Sequence, residues 1–368
     1  MVPLSEYFLE FEFRAKKTKG LIEKNHLVAW EQLPLVNYGT LKNTMEETSL
    51  SQLEFVSDFK SVFEDEENIT ITGEKFKIEF SKVKGTIDSW KLGQKDYILT
   101  GPKPNFWRPP TDNDFGNNMP LRLSVWKEAS KNQKIENVQV TKRDNFIGIN
   151  VTIHYPDLDA KGETAYGIYG DGTVLVTNSL NLEGFKLPNL PKFGMNMVIP
   201  RQYDNFKWFG RGPHESYSDR KASTKIDVFS GKVADQYHPY VRPQENGNKT
   251  DVRWATLRDD NGYGLMLTGF LSLKASHFTN DDYDSGILID DADKPKQHKK
   301  SMHTTDMNEK NLIHIDIDQL QMGVGGEDSW GAQPLEEYQL TPKKYIYHFS
   351  MKLIEPSDEP ISIYKNRF

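Results

Sequence analysis

The sequence predicts an all-β protein, built mainly as a large antiparallel β-sandwich. Short runs in which apolar, often β-branched residues alternate with polar ones recur along most of the 368 residues, and a period of two belongs to half-buried strands. The runs are separated by turn-forming stretches such as Tyr169-Gly-Asp-Gly172 and Arg258-Asp-Asp-Asn-Gly262, which are hairpin material. Only Leu121–Asn132, around Trp126, reads as a helix. No strand–helix rhythm runs through the chain, which argues against a parallel sheet or a (β/α) barrel and for many antiparallel strands.

Taken in order, residues 1–36 read as two alternating strands, Tyr7–Lys16 and His26–Gln32, with a polar connection between them. The alternation is under way by Tyr7, so the chain is expected to begin within a domain, as a truncated piece. Residues 37–66 are polar and end in the acidic run Glu64-Asp-Glu-Glu67, a composition that suits a linker or solvated tether. From Asn68 onward the pattern is β. The runs are Ile69–Thr72, Phe76–Phe80, Gly85–Trp90, Ile147–His154, Thr173–Leu182, Val252–Leu257, Gly264–Phe270, Leu312–Leu320 and Lys343–Leu353. The stretch Asn280–Met307, rich in Asp, Lys and His, lacks the spacing of a calcium loop and reads as a mobile, solvated loop.

Composition limits the function classes. Apolar residues make up 36% and aromatics 12%, enough for a sizeable core, and the net charge is -7. No basic cluster dominates, so nucleic acid is not an expected partner. No run approaches the roughly 20 apolar residues of a membrane helix, and no membrane partner is expected. With no cysteines, disulfides and thiolate metal sites are impossible and the compartment is not legible. Metalloprotease, serine-hydrolase and phosphate-loop patterns are all missing.

Four tracts stand apart from the strand background. Asn105-Phe-Trp-Arg-Pro-Pro-Thr-Asp-Asn-Asp-Phe-Gly116 is a proline-stiffened loop leading towards the helix; Asp112 and Asp114 alone fall far short of a calcium ligand set. In Phe206–Arg220, the residues Arg211, His214, Glu215, Asp219 and Arg220 form either an acid/base or sugar-binding cluster or, more economically, an ion-pair network holding a glycine-rich corner. Tyr237–Asn248 is a further aromatic, proline-stiffened loop. The fourth, Gln321-Met-Gly-Val-Gly-Gly-Glu-Asp-Ser-Trp-Gly331, follows a strand and delivers Trp330 from a glycine-rich turn that includes Asp328. An indole there either packs into a core or offers a flat face to the C–H side of a sugar ring.

Five stretches in this order resemble the C-terminal part of the long bacterial beta-galactosidases of glycoside hydrolase family 2. They are His26–Gln32, Phe106–Asp114, Gly210–Arg220, Tyr240–Gly247 and Met322–Trp330. The resemblance implies that residues 1–66 are the end of an immunoglobulin-like β-sandwich plus linker. It implies that residues 67–368 are the last domain of such an enzyme, a supersandwich of the galactose mutarotase kind. It also implies that Trp330 reaches the substrate pocket and stacks on a galactoside; Glu327 stands where most members carry Asp, which preserves the charge. The family's two catalytic glutamates, its magnesium and sodium ions and most galactose contacts belong to an upstream (β/α) barrel. No catalytic residue and no metal or cofactor is therefore expected in this chain, and the barrel is its implied partner, within a possible homo-oligomer. Asp328, Arg211, His214 and Glu215 are secondary candidates for substrate binding. The competing readings are a stand-alone carbohydrate-binding module and a mutarotase-like epimerase. The epimerase would need an acid and a base on one face, whereas neighbours such as His214 and Glu215 on a strand point to opposite faces.

Overall fold

The computed structural model describes residues 5–35, 58–284, 303–328 and 330–365. The chain divides into two compact units, residues 1–54 with 361–368 and residues 55–360. In the first unit, β1 (Phe8–Arg14) and β2 (Leu27–Pro34) pair antiparallel, Phe11 opposite Glu31 and Phe13 opposite Ala29. The alternation makes strands, and Phe11, Phe13, Val28 and Leu33 stay exposed.

The second unit holds two sheets. In the smaller, β3 (Ser61–Glu64), β4 (Asn68–Thr72), β5 (Phe76–Ser81), β6 (Thr86–Leu92) and β7 (Lys95–Asp96) are joined in sequence order. β3 lies inside the stretch read as a polar connection. Its four residues give too short an alternation to stand out beside the acidic run, and its pairing with β4 makes it a strand. Residues 37–57 of that stretch lie outside the described residues, as do residues 285–302 of the Asp- and Lys-rich loop.

The larger sheet has twelve strands. They are β8 (Thr100–Asn105), β9 (Lys134–Arg143), β10 (Phe146–Tyr155), β11 (Ala160–Tyr169), β12 (Val174–Asn181), β13 (Lys192–Pro200), β14 (Asn205–Gly212), β15 (Lys225–Lys232), β16 (Lys249–Arg258), β17 (Gly264–Ser276), β18 (Leu312–Gln321) and β19 (Lys344–Ile354). Both predicted turns make hairpins. Gly172, at φ +81°, closes β11 onto β12, and Gly262, at φ +87°, closes β16 onto β17. The long β17 changes partner along its length: Gly264–Thr268 pairs with β19 and Ser272–Ser276 with β18. One strand thereby joins the β19–β12–β11–β10–β9 path to the β18–β13–β8 path.

The helical segment is broken into α1 (Asp112–Gly116), α2 (Met119–Arg122) and α3 (Ser124–Lys131). Thr111 caps α1 in a capping box with Asp114. α3 buries Trp126 and Ala129, three residues apart on one face. Around Phe106 the core is aromatic: its ring stacks on Phe193 and meets Trp126 and Tyr155 edge-on, and Phe193 stacks in turn on Tyr345.

Candidate functional site

The four tracts picked out from the sequence leave strands within one run of the large sheet and meet. The first follows β8, the second follows β14, the third leads into β16 and the fourth follows β18, and pairing runs β8–β13–β18–β17–β16–β14. Their meeting point is organised around the glycine-rich turn before Trp330. Asp219, from the second tract, accepts the Val324 N–H at 3.2 Å and the Gly325 N–H at 2.7 Å. Arg108, from the first tract and fully buried, donates from Nη2 to the Gly323 carbonyl at 3.2 Å and from Nη1 to Asp114 at 2.7 Å. A Cβ on Gly323 would lie 2.5 Å from the Asp219 carboxylate, so only glycine lets the backbone come this close.

The end of the turn is held equally closely. The Asp328 carboxylate accepts the Trp330 N–H at 2.8 Å and the Ala332 N–H at 3.3 Å, while its carbonyl accepts the Asn113 amide at 3.1 Å. Gly331 has φ +106° and packs on Gly116, where a Cβ would meet the Gly331 Cα at 2.7 Å. Trp330 is 86% exposed on this braced turn. The core alternative for Trp330 therefore does not hold: Asp219, Arg108, Asn113 and Asp328 hold the backbone of the turn and the indole is left in solvent.

The other candidates divide. Arg211 donates from Nε to Asp251 at 2.6 Å and from Nη1 to the Thr224 carbonyl at 2.9 Å, and Lys221 reaches the same Asp251 at 2.8 Å. Asp251 takes up this load from a left-handed backbone, φ +54°. This is the ion-pair network that holds the corner. His214 and Glu215 lie in an irregular segment after β14 rather than on a strand, and they go separate ways. The exposed His214 meets Ser223 Oγ at 2.9 Å, and burial, then Lys249, lowers its imidazole pKa. Glu215 accepts from Arg220, from the Tyr240 hydroxyl and from the Gly247 N–H at 2.6 Å. Asp114 is committed to Arg108 and to the Thr111 cap, and Asp112 accepts the Gln244 amide at 2.9 Å. Among the described residues no group of three or more His, Asp or Glu is placed to hold a metal ion.

Behind the loops lies a ladder of buried charges that the sequence reading missed. Lys274 meets Glu245 at 3.0 Å and Asp316 at 3.6 Å; Lys192 meets Asp316 at 2.8 Å and Asp318 at 3.1 Å. Burial would raise the Asp316 carboxyl, but Lys192, His314 and Lys274 outweigh it and hold it well below the usual range. Asp318 is pushed up to about 7 by burial, more than Lys192 offsets. The signal was present in Ile313-His-Ile-Asp-Ile-Asp318, whose alternation suggests a solvated polar face. In the fold both faces of β18 are buried, Ile313, Ile315 and Ile317 on one side and His314, Asp316 and Asp318 on the other.

The fold and the site define an all-β antiparallel domain whose loops bring an exposed tryptophan and a set of polar, aromatic groups together. The family model described as "Beta galactosidase small chain" matches residues 72–353, and the chain belongs to that family. The beta-galactosidase of Priestia megaterium is 31% identical over 353 residues, covering 94% of this chain and 31% of that protein. The beta-galactosidase of Streptococcus thermophilus is 31% identical over 298 residues, covering 80% of this chain and 28% of that protein. The chain thus spans about a third of the length of these relatives. Among solved structures, a galactose mutarotase related enzyme from Lactobacillus acidophilus aligns over 79% of this chain and 99% of its own, at 12% identity and TM-score 0.42. The galactose 1-epimerase of Lactobacillus acidophilus NCFM aligns over 81% of this chain and 98% of its own, at 11% identity and TM-score 0.40.

Proposed function

We propose that the chain is the substrate-facing, non-catalytic part of a retaining beta-galactosidase, acting beside a (β/α) barrel that supplies the chemistry. The observation that carries this reading is Trp330, 86% exposed on a turn braced from two sides by Arg108 and Asp219. With the backbone beneath it already braced, only the indole's own rotamers remain to be ordered when a sugar ring stacks on it. Retention needs a nucleophile and an acid/base about 5 Å apart, both free to act. The carboxylates around these loops are instead tied up: Glu215 by Arg220 and Tyr240, Glu245 by Lys274, Asp112 by Gln244.

The test has two parts. Purified chain with a chromogenic β-galactoside should release product only at the uncatalysed rate; turnover that survives further purification would refute the non-catalytic assignment. In the whole enzyme, Trp330→Ala should weaken galactoside affinity about 5- to 150-fold, the roughly 1–3 kcal/mol of one large apolar side chain. An unchanged KM and unchanged product inhibition would remove Trp330 from the site.

A further inference from the structure

Where the four tracts meet, beside the Val324 end of the glycine-rich turn, they enclose a pocket of about 140 Å³. Drug-sized ligands occupy sites of roughly 300 Å³ and more, so this one suits a single ring. Among the described residues Val324 is the one aliphatic side chain on its wall, which disfavours a purely apolar guest. Tyr217 and Tyr240 add aromatic rings, while Asp112, Arg220, Gln244 and Glu245 place acceptors and donors side by side. The part-exposed Tyr240 ring next to mixed hydrogen-bonding groups matches a pyranose, which has a C–H face and vicinal hydroxyls, while Tyr217, buried under the Arg220 guanidinium, backs the wall.

Charge narrows the ligand further. Among the described wall residues Arg220 is the one cation and is paired with Glu215, Glu245 is paired with Lys274, and the remaining carboxylate is Asp112, which Arg242 attracts from beyond the wall. A phosphorylated or carboxylated sugar would find no unpaired cation among the described wall residues and would meet the Asp112 carboxylate. The polar groups are also fixed in advance. Gln244 and Asp112 hold each other through two hydrogen bonds, 2.9 and 3.3 Å. Tyr240 and Arg220 share Glu215, and Glu245 is held by Tyr217 at 3.2 Å and Lys274 at 3.0 Å. Little side-chain freedom is left to lose on binding.

We propose that this pocket is a binding site for a single neutral pyranose, built wholly from this chain, so that the chain by itself retains a weak affinity for sugar. The site goes beyond the role given to Trp330 and does not depend on it. The test is an NMR titration of the purified chain with methyl β-galactoside, methyl β-glucoside and galactose 6-phosphate. Saturable shifts in the millimolar range are expected at the amides of Asp112, Asn113, Arg220 and Gln244 with at least one of the neutral glycosides. The phosphate ester should produce none. Gln244→Ala should weaken binding about tenfold, the scale of one well-placed hydrogen-bonding group. If that variant melts early, Asp112→Asn, which keeps the shape and removes the charge, should now admit galactose 6-phosphate. No saturable shift at these amides up to the solubility of the sugars would overturn the proposal, as would galactose 6-phosphate binding to the unaltered chain. Shifts confined to the Trp330 indole N–H would overturn the pocket while leaving the stacking role of Trp330 standing.

Discussion

Lys249 gives the sharpest energetic test of the fold. It is buried at the start of β16, with its ammonium 3.4 Å from the Gly247 carbonyl and 5.2 Å from the centre of the Trp208 ring. Glu215 attracts it, but burial dominates and lowers its pKa from 10.5 to about 8. For a base with a depressed folded pKa, the unfolded chain holds the proton more tightly. Folding is therefore penalised in full below pH 8, progressively less between pH 8 and 10.5, and not at all above. The penalty is about 3 kcal/mol, from a drop of 10.5 to about 8 at roughly 1.4 kcal/mol per tenfold in proton affinity. Lys249→Met keeps the apolar stem and discards the charge. Against that gain stand one long hydrogen bond and a cation–π contact, together about 1 kcal/mol. The variant should thus be more stable than the parent by about 2 kcal/mol at pH 7. Denaturant melts of both proteins at pH 7, 8, 9 and 10.5 isolate the effect, because other titrations cancel in the difference. The gain should shrink steadily above pH 8 and vanish or reverse near 10.5. A variant that is less stable at pH 7, with a difference flat in pH, would mean that the Trp208 face and Glu215 solvate this charge, and would refute the reasoning.

Other outcomes follow from the same geometry. Trp330→Ala should change stability by less than about 0.5 kcal/mol, whereas Trp126→Ala, in the core, should lose roughly 3–5 kcal/mol; thermal melts of the two variants make the comparison. Asp219→Ala should raise hydrogen exchange at the Val324 and Gly325 amides about tenfold with only a small change in the global melt, since the loss is two hydrogen bonds to one loop. Arg108→Ala strips the partner from the buried Asp114 and should cost about 3–5 kcal/mol in a denaturant melt. A variant within 1 kcal/mol of the parent would mean that water replaces the guanidinium.

Much of this architecture is legible from periodicity, and the parts that are not have identifiable physical causes. β10, β12 and β19 follow the alternation because each buries one apolar set in the core. β8 escaped because Pro102 and Pro104 read as strand breakers. Proline is tolerated there because β8 pairs on one side only, with β13. β13 escaped because Gly194 reads as a breaker. The reason for that glycine lies far away in sequence: a Cβ at this position would come 2.7 Å from the Asp318 carboxyl carbon. The site tracts were legible as loops, since Pro, Gly, Asn and Asp punctuate them, but not their convergence, which depends on the sheet order placing β8, β18, β16 and β14 near one another.

The buried ladder shows where local pattern fails most completely. Alternation reports that Asp316 and Asp318 share a face, not whether water reaches it. What makes burial tolerable is charge matching across three strands: Lys192 from β13 and Lys274 from β17 stand against Asp316 and Asp318 from β18 and against Glu245. Three carboxyl groups face two ammonium groups and the His314 ring, which contacts Asp316 at 3.3 Å, and a dry interior disfavours any surplus negative charge among them. The fold resolves this through a carboxyl that keeps its proton nearest neutrality. That carboxyl is Asp318, whose neighbour Asp316 takes most of the positive charge and whose other contact is the neutral Gln321 amide at 2.9 Å. Glu245 belongs both to this ladder and to the wall of the pocket. The polar face of β18, an ordinary solvated edge when read from sequence, therefore acts as the rigid support of the loops from behind.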